Sequence, residues 1–187
     1  MARVLIPLAK GFEELEAVAL IDVMRRGGIE VVIAFLDEKY AHGRVVKGAN
    51  GIGIQADISL EKVDADSFDM MVLPGGWDGT YALADDTRIL SLLQHFKEKK
   101  AVGAMCAAPY VLQKAGVLGD AYTCYPQAKE EIAHEGYQAD AKVVIDGNVL
   151  TSAGPGTAVC FGLEIVAYLV DEKTKEALKE GMLLGYC

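Results

Sequence analysis

Cys106 lies in the stretch Ala101-Val102-Gly103-Ala104-Met105-Cys106-Ala107-Ala108-Pro109, where small and apolar residues run into a thiol and a proline follows three positions later. The run before the cysteine reads as a short buried strand. Pro109 suits the first turn of a helix, where its missing N–H is not needed. Cys106 then falls at a strand-to-helix junction, where unpaired N–H groups and the helix dipole favour a thiolate. Ala104 and Ala108 are small enough for a sharp turn of the nucleophile-elbow kind, although that turn prefers glycine. A cysteine here also packs well as a small buried hydrophobe, so the stretch alone leaves both readings open.

Glu16 is the second anomaly. The segment Leu15 to Met24 is apolar nearly all round, with Glu16 and Asp22 as its polar residues. Asp22 has Arg25 and Arg26 at helical spacing, whereas Glu16 meets Ala19 and Leu20. A carboxylate on an apolar helix finds a partner or raises its pKa until it is neutral. A protonated carboxyl could then donate a hydrogen bond to a thiolate. On the helix alone, a solvated carboxylate at the helix edge is the simpler reading. That reverses if the first strand and the strand of Cys106 lie side by side, because both residues then emerge at one sheet edge.

Other candidates are weaker. Gly75 and Gly76, in Pro74-Gly75-Gly76, offer backbone N–H groups for an oxyanion together with the N–H that follows Cys106, at Ala107. A plain strand-ending turn explains the two glycines equally well. Tyr125, beside Pro126, reads as a polar pocket wall or as a packed tyrosine. Gly154-Pro155-Gly156-Thr157 lacks the lysine of a P-loop and fails G-x-G-x-x-G. His42, His95 and His134 sit in polar surroundings and read as surface residues, and no spacing points to a metal site.

The elements that must position these residues follow from the chain in order. Residues 3–8 form a continuous apolar strand, and 13–26 a helix with acids in its first turn, Arg25-Arg26 in its last and Gly27-Gly28 as its stop. A second strand at 31–35 completes a β-α-β unit and marks an α/β protein. Residues 40–60 read as a small β-excursion, with short strands at 45–46 and 52–55. Strands follow at 69–73 and before Cys106, separated by an amphipathic helix at 85–99 with Ile89, Leu92, Leu93 and Phe96 on one face. Beyond them come a short strand at 121–124, a short helix at 127–134, and a hairpin whose arms (142–145 and 149–151) flank Asp146-Gly147-Asn148. Two helices, 157–170 and 173–184, close the chain. No linker or repeat divides it, so residues 1–187 read as a single domain.

The bulk numbers narrow the class. The 187 residues carry a net charge of −9, and 52% are hydrophobic. That charge disfavours nucleic acid and anionic membrane surfaces as partners. No apolar run reaches the length of a membrane span, and the N-terminus reads as a first strand rather than a signal peptide. Cys106, Cys124, Cys160 and Cys187 show no C-x-x-C, so free thiols in a reducing cytoplasm are the simplest expectation. Whether Cys124 comes within disulfide reach of Cys106 stays open.

With these residues placed, the chain resembles the ThiJ/PfpI superfamily, in its parkinsonism-associated deglycase-like branch. Five motifs carry the resemblance in order: residues 9–16 (AKGFEELE), 22–29 (DVMRRGGI), 72–76 (VLPGG), 104–109 (AMCAAP) and 151–157 (TSAGPGT). It implies a flavodoxin-like three-layer sandwich with a mostly parallel sheet, related to the class I glutamine amidotransferases, and usually a homodimer. It further implies that Cys106 is the reactive thiol, that Glu16 is its protonated partner, and that no cofactor or metal is required. Family members act as glyoxalases, as deglycases of methylglyoxal adducts, as oxidative-stress sensors and as chaperones. The chain also departs from the pattern. Peptidase-like relatives carry a histidine where Ala107 stands, and animal members carry one at Tyr125, which puts a Cys–His mechanism in doubt. Ala153 replaces an arginine, and Ala108 a glycine.

The leading expectation is therefore a thiol enzyme acting on methylglyoxal-like 2-oxoaldehydes or on glycated protein, with Cys106 as nucleophile and Glu16 as proton shuttle. The alternative is an oxidative-stress sensor or chaperone working through oxidation of Cys106. A peptidase or amidase ranks third.

Overall fold

The computed structural model describes residues 1–37 and 41–187. In chain order the strands are β1 (Arg3–Leu8), β2 (Glu30–Phe35), β3 (Ala41–His42), β4 (Val45–Lys47), β5 (Gly53–Gln55), β6 (Ile58–Ser59), β7 (Met70–Leu73), β8 (Ala101–Met105), β9 (Val143–Asp146) and β10 (Val149–Ser152). The helices are α1 (Glu14–Arg26), α2 (Trp77–Ala84), α3 (Thr87–Lys99), α4 (Pro109–Lys114), α5 (Ala128–Ile132), α6 (Ala158–Leu169) and α7 (Glu172–Gly181).

Seven strands pair in the order β6-β2-β1-β7-β8-β10-β9. All pairings in this sheet are parallel except β9 on β10, the hairpin expected at Gly147. The central strands are buried on both faces, and their side chains alternate between two cores. Val4, Ile6, Leu8, Met70 and Val72 join one core with α1 and α6, whereas Leu5, Met71 and Leu73 join the other with α2, α3 and α4. This is the expected three-layer α/β sandwich.

The helix α1 is built as its sequence predicts. Glu13 caps it by accepting the Glu16 N–H at 2.7 Å, and Arg26 pairs with Asp22 at 2.7 Å. Its buried face packs on α6 at Gly162, where a Cβ would stand 2.9 Å from that of Val23. Each Leu, Ile or Met that this face removes from water contributes about 1.5–3 kcal/mol.

Several elements differ from expectation. The helix α2 was not foreseen, because its Gly79 breaks the helical pattern. That glycine is required, since a Cβ there would lie 2.9 Å from the Phe12 backbone nitrogen. Residues 121–124 form no strand and make an isolated bridge from Tyr122 to Tyr137. The excursion forms a separate sheet, β3-β4-β5, while β6 joins the edge of the main sheet. Its expected start at Tyr40, and the side chain of His42, lie outside the described residues. His95 is half-buried and faces Asp66 at 3.0 Å. Among the described residues, no helix is long and apolar enough to cross a membrane.

The expectation of four free thiols is overturned. Cys106 and Cys124 are free and buried, but Cys160 and Cys187 form a disulfide. The spacing of 27 residues gave no sign of it; the return of the chain from α7 onto α6 brings the two Cα atoms within 5.2 Å.

Candidate functional site

Glu16 and Cys106 come together, but not by the route anticipated. β1 and β8 are not neighbours; β7 lies between them. The turn after β7 bridges the gap. Gly75 N–H donates to Glu16 Oε2 at 2.6 Å, and a Cβ added at Gly75 would stand 2.7 Å from the Cys106 Cβ and 2.9 Å from Glu16 Oε2. Only a residue without a side chain lets the carboxyl and the cysteine share this space. Gly76, at φ +92°, completes the turn where an added Cβ would collide with the Gly11 carbonyl.

The Cys106 backbone is itself held in an unusual conformation, at φ +60°. A non-glycine residue stays there only when its surroundings enforce it. Its N–H donates to the Ser152 carbonyl at 3.0 Å, and its carbonyl accepts from Tyr125 N–H at 2.9 Å. The elbow is thus clamped by β10 on one side and by the 121–127 segment on the other. Sequence reasoning missed Ser152, which carries no signal because its carbonyl makes the contact.

Glu16 is fully buried and Cys106 is 9% exposed. Burial pushes the Glu16 carboxyl up to about 7; the Gly75 N–H and the Cys106 thiol pull against it, and Glu13 adds a small push upward. Its Oε1 has no hydrogen-bond partner, which leaves that oxygen free to carry a proton. The Cys106 thiol is pushed well up, by burial first and then by the charge of Glu16 and its hydrogen bond. The N–H groups of Ala107 and Gly76 act in the opposite sense. This corrects the expectation of a thiol favoured as thiolate by a helix N-terminus. The helix begins only at Pro109 and runs six residues, so two local amides face the sulfur in place of a long dipole. The two acids titrate as a pair: one charge is accommodated, and the second meets both burial and its neighbour.

Gly75 also departs from expectation as an oxyanion donor, because Glu16 occupies its N–H. The Gly76 and Ala107 amides are the ones that face sulfur. Tyr125 is 37% exposed with its ring against Gly154, and Pro126 is exposed beside it. Cys124 is pushed up to about 12 by burial. One further buried acid was not singled out. Glu14 accepts the Asn50 N–H at 2.6 Å, its side-chain amide at 3.0 Å and the Ile52 N–H at 3.2 Å, fastening the turn between β4 and β5 to α1.

A doubly wound α/β sandwich with a cysteine on the elbow after a central strand and a buried carboxyl against it defines a class of flavodoxin-like proteins. The chain belongs to the DJ-1/PfpI family, whose model matches residues 2–168. It is 39% identical over 185 residues to the Drosophila melanogaster protein dj-1beta, covering 97% of each chain. It is 38% identical over 181 residues to a Caenorhabditis elegans protein named glutathione-independent glyoxalase DJR-1.2, covering 95% of this chain and 94% of that one. The crystal structure of Drosophila DJ-1beta superposes with a TM-score of 0.91 at 38% identity, covering 97% of each chain.

Proposed function

We propose that this protein is a cofactor-independent glyoxalase-type thiol enzyme acting on methylglyoxal-like 2-oxoaldehydes or on their early protein adducts. The observation that carries the reading is the buried Glu16 carboxyl, held near 7 and tethered by Gly75 against Cys106. Near neutral pH such a group can both give and take a proton. The Cys106 sulfur adds to the aldehyde carbon and its proton passes to the new alkoxide, giving a hemithioacetal. Glu16 removes the proton from that carbon and returns one to the neighbouring carbon, while the hemithioacetal hydroxyl proton passes to the former ketone oxygen. The resulting 2-hydroxyacyl thioester is cleaved by water, which releases the hydroxy acid and restores the thiol. The Gly76 and Ala107 amides hold negative charge at the sulfur as it leaves. The relative named a glyoxalase supports the same reaction class.

The test is lactate formation from methylglyoxal by wild type, Cys106→Ser and Glu16→Gln, with methylglyoxal loss followed in parallel. Repeated turnover to lactate in wild type, with both variants near background, is the expected result. Consumption of a single equivalent without lactate would overturn the reading. In that event the same two amides favour a second role, oxidative sensing, in which they receive the oxygens of a Cys106 sulfinate. Mild peroxide would then add two oxygens at Cys106 ahead of Cys124. We further propose a homodimer: Leu15 and Val18 on α1 and Ile52 nearby are exposed and apolar, and sedimentation of the purified chain tests it.

A further inference from the structure

The disulfide between Cys160 and Cys187 ties residues 185–187 back to the first turn of α6. After α7, Leu184 buries its side chain in the same core cluster that contains Cys106. Beyond it Gly185 and Tyr186 are exposed. Cys187 packs against that same cluster, and among the described residues three polar attachments add to it. Cys187 N–H donates to the Leu184 carbonyl at 3.1 Å, Lys142 Nζ donates to the Tyr186 carbonyl, and the same ammonium lies 6.0 Å from the Tyr186 ring. An exposed segment with so few buried contacts opens at low free-energy cost once a covalent tie is removed.

Both ends of this tie lead back to the Cys106 elbow. Cys160 stands in the first turn of α6, just beyond Thr157. Thr157 Oγ1 lies 2.7 Å from Ser152 Oγ, which also donates to the Lys142 carbonyl at 2.8 Å. Lys142 is the residue that grips the tail, and Ser152 is the residue whose carbonyl takes the Cys106 N–H. The disulfide also borders a surface hollow of about 460 Å³ formed with Asp140, Lys142 and Glu164. Cys187 is half-buried and lines that hollow while packing against the core cluster.

We propose that the Cys160–Cys187 disulfide is a thiol-exchange site, separate from Cys106, that takes low-molecular-weight thiols and sets how firmly the Cys106 elbow is held. The thiolate of one small thiol attacks the Cys187 sulfur. The protein S–S bond breaks, a mixed disulfide forms at Cys187, and Cys160 leaves as a thiolate that takes up a proton. A second small thiol attacks the mixed disulfide through its own sulfur. The small disulfide departs, and Cys187 is released and protonated. Two electrons pass from two small thiols to the protein, which ends as the dithiol. Residues 185–187 then come away from Lys142, and the hydrogen-bonded chain through Ser152 slackens.

The experiment uses the full chain with reduced and oxidised glutathione at millimolar total concentration. Site-resolved mass spectrometry follows Cys160 and Cys187, amide exchange follows residues 182–187, and iodoacetamide alkylation of Cys106 is timed after desalting. The double substitution Cys160→Ser with Cys187→Ser serves as the permanently open form. The expected result is a mixed disulfide on Cys187 followed by the dithiol, and faster amide exchange in the tail. Alkylation of Cys106 is then about 2- to 30-fold faster in both the reduced and the double-substituted protein than in the disulfide form, the range that coupling through such networks spans. A disulfide that survives the reduced buffer for hours overturns the proposal, and so does one that opens while the Cys106 rate stays the same. None of the three readouts requires turnover, so the loss of this proposal and the loss of the glyoxalase reading are separate results.

Discussion

Replacing Glu16 by Gln should make the protein clearly more stable at pH 8 and only slightly so, by less than about 1 kcal/mol, at pH 5. Holding this carboxyl at about 7 in place of 4.5 means that ionising it inside the folded chain costs about 3 kcal/mol. The folded chain keeps the proton more tightly than the unfolded chain does. Its contribution to stability is therefore full below pH 4.5, declines as the pH rises, and is lost once the pH passes about 7. Glutamine has the shape of the protonated acid and can still accept the Gly75 N–H, but it never ionises. The variant should thus gain up to about 3 kcal/mol over wild type at pH 8, worth roughly 6–12 °C in Tm for a chain of this length. Thermal and urea unfolding of both proteins at pH 5, 6, 7 and 8 would reveal a gap that opens as the pH rises. In a Cys106→Ala background the gap should widen, because the thiol hydrogen bond that lowers Glu16 is gone. If the two proteins instead lose stability in parallel from pH 5 to pH 8, Glu16 is not ionising against burial, and the proton-shuttle argument loses its physical basis.

Three further outcomes follow from other parts of the structure. Gly75→Ala should cost about 1–3 kcal/mol by overpacking, measured by urea unfolding, and should separate Glu16 from Cys106, so lactate formation falls more than substrate affinity. Glu14 behaves oppositely to Glu16: burial opposes its ionisation, but hydrogen bonds from its own N–H and from Asn50 and Ile52 prevail and hold its carboxyl below the ordinary range. Its contribution is present above pH 4.5 and lost as the pH falls below it, so the protection of the Asn50 and Ile52 amides, measured against their intrinsic exchange rate at each pH, should fall in acid and in Glu14→Ala at neutral pH. Removing the disulfide, which closes a loop of 27 residues, should cost up to about 3.5 kcal/mol. Melting curves with and without reductant that coincide would show the tie to be thermodynamically idle.

How much of this was legible in the sequence depended on how local the cause was. The Cys106 elbow was readable because a buried strand, a cysteine and a proline follow one another directly. Glu16 was readable as an anomaly, since no residue on its own helix can neutralise it. The glycines after β7 were visible as a turn, but which amide serves the carboxyl and which faces the sulfur is a matter of tertiary geometry. The same holds for Ser152, whose side chain is not what touches the elbow. The helix α2 was hidden because Gly79 answers to the loop it packs against rather than to helix propensity. The disulfide was hidden because the distance along the chain between Cys160 and Cys187 says nothing of the return of the tail.

The interposition of β7 between β1 and β8 also governs when the site comes into being. During synthesis the carboxyl emerges first, the glycine bridge next and the thiol later, and the carbonyl that fixes the elbow arrives last, with β10. A nascent chain that has released Cys106 but not Ser152 therefore carries a cysteine whose backbone N–H lacks its Ser152 partner. The enforced backbone of the elbow depends on the C-terminal third, which is made after the acid, the glycine and the thiol.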